Sequence, residues 1–286
     1  MKVRRPRRKK TANAVVIDVG WSRTNWSRTA VAWSDSKTGR AKVDLLNADE
    51  WLEDWVKELV VPGGIVGIDI PLDGPLETGQ ADSFRPVDRG LIKAGIPLLP
   101  SAQAGSFGSE IASRIQQAVP DCQVVELYPY AVLRVLWSLQ FVSDKKPVKL
   151  LDDGEWNELL DARAWKKRPP RYKRASKRQD MVRALKQAVG VLEGTPYGRA
   201  FDELSDDPLV LMTRSQLLRM SDAFDGLLGL VALDRMVRRS PYAKNFSVPG
   251  QSGTILGIAD TWLWSRWSSI VRELAVSPAK VKARRR

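Results

Sequence analysis

Histidine is absent from all 286 residues, and that absence excludes more than any residue present. Ser-His-Asp and Cys-His nucleophiles, histidine-held zinc and hydrolysis by a histidine general base are all ruled out. Acid–base and metal chemistry therefore falls to carboxylates, whose hard oxygens suit Mg²⁺ or Mn²⁺. Cysteine is nearly as scarce. The single Cys122 can form neither an intramolecular disulfide nor a thiolate cluster, agrees with a reducing compartment, and reads as a small buried hydrophobe. No apolar run approaches the roughly 20 residues that span a bilayer. The basic start, residues 2–10, is followed by a run of only four apolar residues before Asp18, too short for a signal peptide. The expectation is a cytoplasmic protein with no membrane partner.

Acids are missing from three stretches that are dense in cations. Residues 2–10 hold seven basic side chains, 163–178 hold nine and 280–286 hold five, with no Asp or Glu among them. Setting those 21 aside leaves 25 basic against 33 acidic residues, so the body of the chain is near −8 although the whole carries +13. Charge concentrated in this way is what binding to a phosphate backbone uses. Solvated arms account for either tail alone, but three clusters together point to a nucleic-acid partner, DNA or RNA. Eleven tryptophans leave room for base stacking, a protein partner or a homodimer.

What is present reads as one α/β domain over residues 13–262, after a basic arm (1–12) and before a C-terminal segment with a basic tail (263–286). Strands are expected at 14–20, 26–33 and 41–46, separated by turn-rich segments and so an antiparallel meander. Residues 47–60 carry acids early and apolar residues at helical spacing, and Pro62-Gly63-Gly64 ends that helix. A strand at 65–72 follows as a crossover, then a Pro- and Gly-rich span to residue 100 with a short helix at 86–94. A helix at 106–118 leads to a strand at 123–127. From 131 to about 200 the pattern turns helical, with a cationic loop at 165–177, and reads as an insertion. Residues 202–220 read as a broken helix, 221–239 as the strongest helix of the chain, and 254–258 as a short strand.

The segment Ile65-Val66-Gly67-Ile68-Asp69-Ile70-Pro71-Leu72 is apolar and β-branched, yet it delivers one carboxylate. Removing an ionised carboxylate from water is costly unless a charge, a metal or several donors meet it. Asp18 ends a similar run, as does Glu126. Asp222 and Asp225 share a face of the strongest helix, and Gly226 and Gly229 extend that face as a bare strip able to approach a sheet closely. With Ser221 as cap, the two acids would also suit the positive end of that helix. The expectation is convergence: Asp18, Asp69, Asp222 and Asp225 as catalytic residues, joined by Glu126 as metal ligands, around one or two ions that hydrolyse a phosphodiester.

Several motifs in order carry a family resemblance. Gly67-Ile68-Asp69-Ile70-Pro71-Leu72, Arg85-Pro86-Val87-Asp88-Arg89, Glu126-Leu127-Tyr128-Pro129, Tyr172-Lys173 and Ser221-Asp222-Ala223-Phe224-Asp225-Gly226-Leu227 resemble the motifs of the family numbered 429 among domains of unknown function, which is predicted to comprise ribonuclease H-like nucleases. The resemblance spans roughly residues 15–258. It implies a ribonuclease H-like mixed sheet, a three-strand meander plus two parallel strands, with flanking helices. It also implies Asp18, Asp69 and Asp222 or Asp225 as metal ligands. Tyr130 stands where such sequences often carry a further acid. Arg85, Arg89 and Lys173 suit phosphate contacts, as do Lys166, Lys167 and Arg168. Arg171, Arg174, Lys177 and Arg178 complete that basic set.

Two other readings stay open. Asp18-Val19-Gly20-Trp21-Ser22-Arg23-Thr24-Asn25 also resembles the phosphate turn of the actin and sugar-kinase superfamily, an ATP-dependent phosphotransferase, although no convincing second turn is present at 250–257. The third is a nucleic-acid-binding protein whose acids are only structural pairs.

Overall fold

Both faces of the central strands are apolar, so they need helices on each side. In β1 (Ala12–Asp18), Val15 and Ile17 pack into one hydrophobic layer and Ala14 and Val16 into another. The computed structural model describes residues 12–19, 29–46, 51–73, 84–98, 104, 106–142, 160–205 and 207–276. The two basic tails and the turn at 20–28, on which the kinase resemblance rests, lie outside the described residues.

β1 pairs antiparallel with β2 (Ala30–Asp35), and β2 with β3 (Ala41–Leu45), forming the expected meander. After α1 (Leu52–Leu59), β4 (Val60–Ile68) runs parallel to β1. Its Pro62-Gly63-Gly64 lies inside the strand, not at a helix end: Ala12 pairs with Val60 but Ala14 with Ile65, so residues 61–64 bulge out. Gly63 takes the left-handed conformation there, at φ 74°. α2 (Pro86–Ala94) and α3 (Phe107–Ala118) lead to β5 (Gln123–Leu127), parallel to β4.

The helical run after β5 comprises α4 (Pro129–Leu139), α5 (Ala162–Trp165), α6 (Arg178–Val189), α7 (Pro196–Asp202) and α8 (Arg214–Val237). α5 is a single turn, and residues 143–159 lie outside the described residues. β6 (Ala243–Ser247) and β7 (Thr254–Ile258) then extend the sheet, and α9 (Thr261–Val276) closes the described chain. β7 runs parallel to β5, and β6 antiparallel to β7 at the edge. The described residues thus form one seven-stranded mixed sheet, ordered β3-β2-β1-β4-β5-β7-β6. β6 was not expected, and α9 belongs to the fold: Trp267 is buried against Phe246 and against Gly90 of α2. No described helix is long and apolar enough to cross a membrane.

α1 and α3 cover one face, with Trp55, Val56, Ile111 and Ile115 against Ile17 and Ile68. α4, α6 and α8 cover the other. α8 is buried on nearly every side from Met220 to Arg235, as an apolar helix enclosed between layers must be. It begins seven residues before Ser221. Thr213 caps it, accepting from the Gln216 amide, and Gln216 returns a bond to the Thr213 amide in a capping box. Asp222 and Asp225 are therefore mid-helix residues, and their place at a positive helix end is overturned. The bare strip does meet the sheet. A Cβ on Gly229 would stand 2.7 Å from Val16 Cγ1 and 3.2 Å from Leu127 Cδ1.

Candidate metal centre and its basic rim

Strand register decides which acids meet. Ile17 pairs with Ile68 and both point toward α1 and α3, so the next residue on each strand, Asp18 and Asp69, points toward α8. The Asp69 amide donates to the Ile17 carbonyl at 2.9 Å, extending the ladder past β4. α8 lays Asp222 and Asp225, one turn apart, over this corner. Oxygens of Asp18, Asp69 and Asp225 come within 4.8 Å of one another, a grouping able to hold a metal ion. Asp18 is 3% exposed and Asp225 6%.

Glu126 does not join them. It pairs with Ile68 itself, so it leaves the sheet on the opposite face, and its expected role as a ligand gives way to an ion pair. Arg85 Nη1 and Nη2 donate to its two oxygens at 2.7 and 2.5 Å, and the Leu72 amide donates at 3.0 Å. Arg85 also binds Asp88 through Nη2 and Nε at 2.9 and 3.1 Å. Arg85, Asp88 and Glu126 are all at most 5% exposed, so Arg85 cannot reach a nucleic-acid phosphate. This triad ties α2 to β5 and fixes the loop that leaves Asp69. Arg89 is half-buried on α2.

Lys173 departs furthest from expectation. The turn at Tyr172–Arg174 delivers its ammonium into the acidic corner, 2.5 Å from Asp225 Oδ2, 2.9 Å from Asp222 Oδ1 and 3.4 Å from Asp18 Oδ2. The neighbouring Tyr172 hydroxyl donates to Asp225 Oδ1, and its ring packs edge-on against Phe224, centroids 5.4 Å apart.

Titration follows the crowding. Burial, partly offset by Lys173, drives the Asp18 carboxyl well above the usual range, and Asp222, Asp69 and Asp225 push it further. Asp69 is raised to about 7, first by burial and then by Asp225, despite a hydrogen bond shared with Asp18. Burial also raises Asp225 against the pull of Lys173. The Lys173 ammonium loses hydration, yet Asp18, Asp225 and Asp222 hold its pKa well above that of a free lysine. A cation is what this corner needs.

The corner is the floor of a cleft of about 400 Å³. Arg168, Arg171 and Arg174 stand along it, exposed, while Pro97, Leu98, Tyr128, Tyr130, Pro169 and Pro170 give it apolar walls. The rings of Tyr128 and Tyr130 lie 6.1 Å apart. Of the expected basic set, Lys166, Lys167, Lys177 and Arg178 are exposed but do not line the cleft.

Arg134 was not foreseen. It is 3% exposed on α4 and donates to the carbonyls of Trp165 and Lys167, and its guanidinium lies 4.5 Å from the Trp165 ring centroid. The Trp165 indole donates to the Ala94 carbonyl at 2.7 Å. The cationic loop is thereby pinned at its start by Arg134 and Trp165 and midway by Tyr172. A lone Arg within the apolar Ala131-Val132-Leu133-Arg134-Val135-Leu136 was the available signal, of the same kind as Asp69 in its strand.

Compared with known protein families, with curated proteins and with solved structures, the chain matches none of them. The family resemblance therefore rests on its motifs alone.

Proposed function

We propose that this protein is a metal-dependent phosphodiesterase acting on a nucleic-acid strand, built on a ribonuclease H-like scaffold. One observation carries the reading: the Asp18–Asp69–Asp225 group forms the floor of a cleft that Arg168, Arg171 and Arg174 line. The sheet order β3-β2-β1-β4-β5, with acids at the ends of β1 and β4 and on the covering helix, supports the scaffold. The donor set fits Mg²⁺ or Mn²⁺, being all carboxylate, and a cation, the Lys173 ammonium, already stands beside it, against Asp225 and at longer range Asp18.

A bound ion supplies Lewis-acid polarisation of a phosphoryl oxygen and an activated water. The chain does the rest. The rim arginines hold the scissile and neighbouring phosphates, and the tyrosine wall offers a face on which an unstacked base can lie. Tyr172 fixes the rotamer of Asp225. In the reaction a water oxygen bonds to phosphorus, releasing a proton to solvent, as the bond from phosphorus to the leaving ester oxygen breaks. That oxygen takes a proton from solvent.

Single-stranded DNA and RNA incubated with Mn²⁺ should be cleaved by the wild-type protein. Asp69→Asn should cut the rate by several kcal/mol of barrier, about a thousandfold, with its circular dichroism unchanged. Cleavage undiminished by Asp69→Asn refutes the assignment. The neutralising contact of Lys173 favours one second reading, a non-catalytic nucleic-acid-binding protein, and binding without cleavage in Mg²⁺ or Mn²⁺ would establish it.

A further inference from the structure

Carboxylate sites that cleave phosphodiesters commonly hold two ions roughly 3.5–4 Å apart, one at the attacking and one at the leaving oxygen. Here the four aspartates do not form two equivalent places. Asp18, Asp69 and Asp225 form one compact group. The other place, between Asp222 Oδ1 and Asp225 Oδ2, is where Lys173 Nζ stands, at 2.9 and 2.5 Å, with Asp18 Oδ2 farther off at 3.4 Å and Asp69 left to the ion. A second ion held by Asp222 and Asp225 would have to sit among the oxygens the ammonium occupies, and two cations in contact repel strongly in a site sheltered from water.

The lysine is also held there by its backbone. Tyr172, one residue earlier, is bonded to Asp225 and packed on Phe224. The loop that leads to it is fixed through Arg134 and Trp165. The turn thus aims the Lys173 stem at the acids, and its three carboxylate contacts hold the ammonium there. We propose that the site takes a single divalent ion, on Asp18, Asp69 and Asp225, and that the Lys173 ammonium holds the place and supplies the charge of the second. The inference rests on the metal reading above. It assigns Lys173 away from the general phosphate-binding set and makes it the residue that fixes metal stoichiometry.

Mn²⁺ titrated into the full-length protein, read by electron paramagnetic resonance, tests the assignment without reference to activity. The wild type is expected to bind one Mn²⁺ per chain, with the spectrum of an isolated ion. Lys173→Met, which keeps the stem and removes the charge, should bind two and show spin coupling between them. Lys173→Arg, which keeps the charge, should remain at one. A coupled pair in the wild type overturns the proposal, as does a Lys173→Met protein that stays at one ion at saturating Mn²⁺; both leave the metal reading intact. No Mn²⁺ on either the wild type or Lys173→Arg removes the metal reading and this inference with it. Should Lys173→Met fail to fold, the wild-type stoichiometry still decides.

Discussion

Set between Asp18 and Asp225, the Asp69 carboxyl titrates near 7, whereas an unfolded aspartate does so at 3.8. The folded chain therefore keeps a proton there that the unfolded chain has released. Between about pH 4 and about pH 7 the folded state binds more protons, so stability falls as pH rises. This contribution is full below the unfolded value and lost through the folded one. Thermal unfolding in EDTA should show a melting temperature that drops across this window, and Asp69→Asn should flatten the drop. A divalent ion must expel the same proton. Mn²⁺ affinity should accordingly climb with pH through the region of pH 7, by up to about tenfold per unit for each proton expelled. Calorimetric titrations at several pH values check it; an affinity independent of pH would mean that Asp69 is not a ligand.

α8 sets how closely the helix acids approach the strand acids, and its two glycines make separable demands. A Cβ on Gly229 would press on Val16 and Leu127 at 2.7 and 3.2 Å, and both neighbours are packed core. Gly229→Ala should cost about 1–3 kcal/mol in urea unfolding and weaken Mn²⁺ binding by lifting Asp225 off Asp18. A Cβ on Gly226 would meet Ala32 Cβ at 3.5 Å, an ordinary contact. Gly226→Ala should then be neutral, or stabilise by up to about 1 kcal/mol through helix propensity. Equal effects at both sites would show that α8 does not rest on the sheet where it is described. The same helix marks how far the sequence could be read. An acid in each apolar run was the signal that brought Asp18, Asp69 and Asp225 together. The helix start was misplaced because Ser221-Asp222 imitates a cap, whereas Thr213, eight residues upstream, and Gln216 form the cap. Glu126 looked equivalent to Asp69 because the sequence shows the end of a strand but not its register, and one residue of register changes the face. Its partner Arg85 lies 41 positions away, beyond any local pattern. β6 was missed because Ala243-Lys244-Asn245-Phe246-Ser247 has little β-branched character and is held by β7 alone.

At the scale of the molecule, the cleft sets charge of one sign against the other. The acids lie on the floor of the cleft, and part of the excess of cations stands as arginines along it. On the proposed reading, a polyanion drawn by the outer charge would be led to the acidic floor, where a bound ion would neutralise it further. Salt dependence can separate the cleft from the tails. Each phosphate neutralised on a single strand contributes about 0.7 to the slope of log affinity against log salt. A variant carrying Arg168→Ala, Arg171→Ala and Arg174→Ala together keeps both basic tails. If all three arginines meet phosphates, its slope should be shallower than the wild type's by about 2, whatever the tails contribute to both proteins. Oligonucleotide binding measured by fluorescence anisotropy in EDTA, between low and moderate salt, gives both slopes. Tyr130→Ala should behave differently. It removes a stacking face worth about 1–3 kcal/mol per base and no charge, so affinity for a single strand should fall by about 5- to 150-fold while the slope stays fixed. A triple variant with an unchanged slope would place the polyanion outside the cleft and dissociate the arginines from the acids below them.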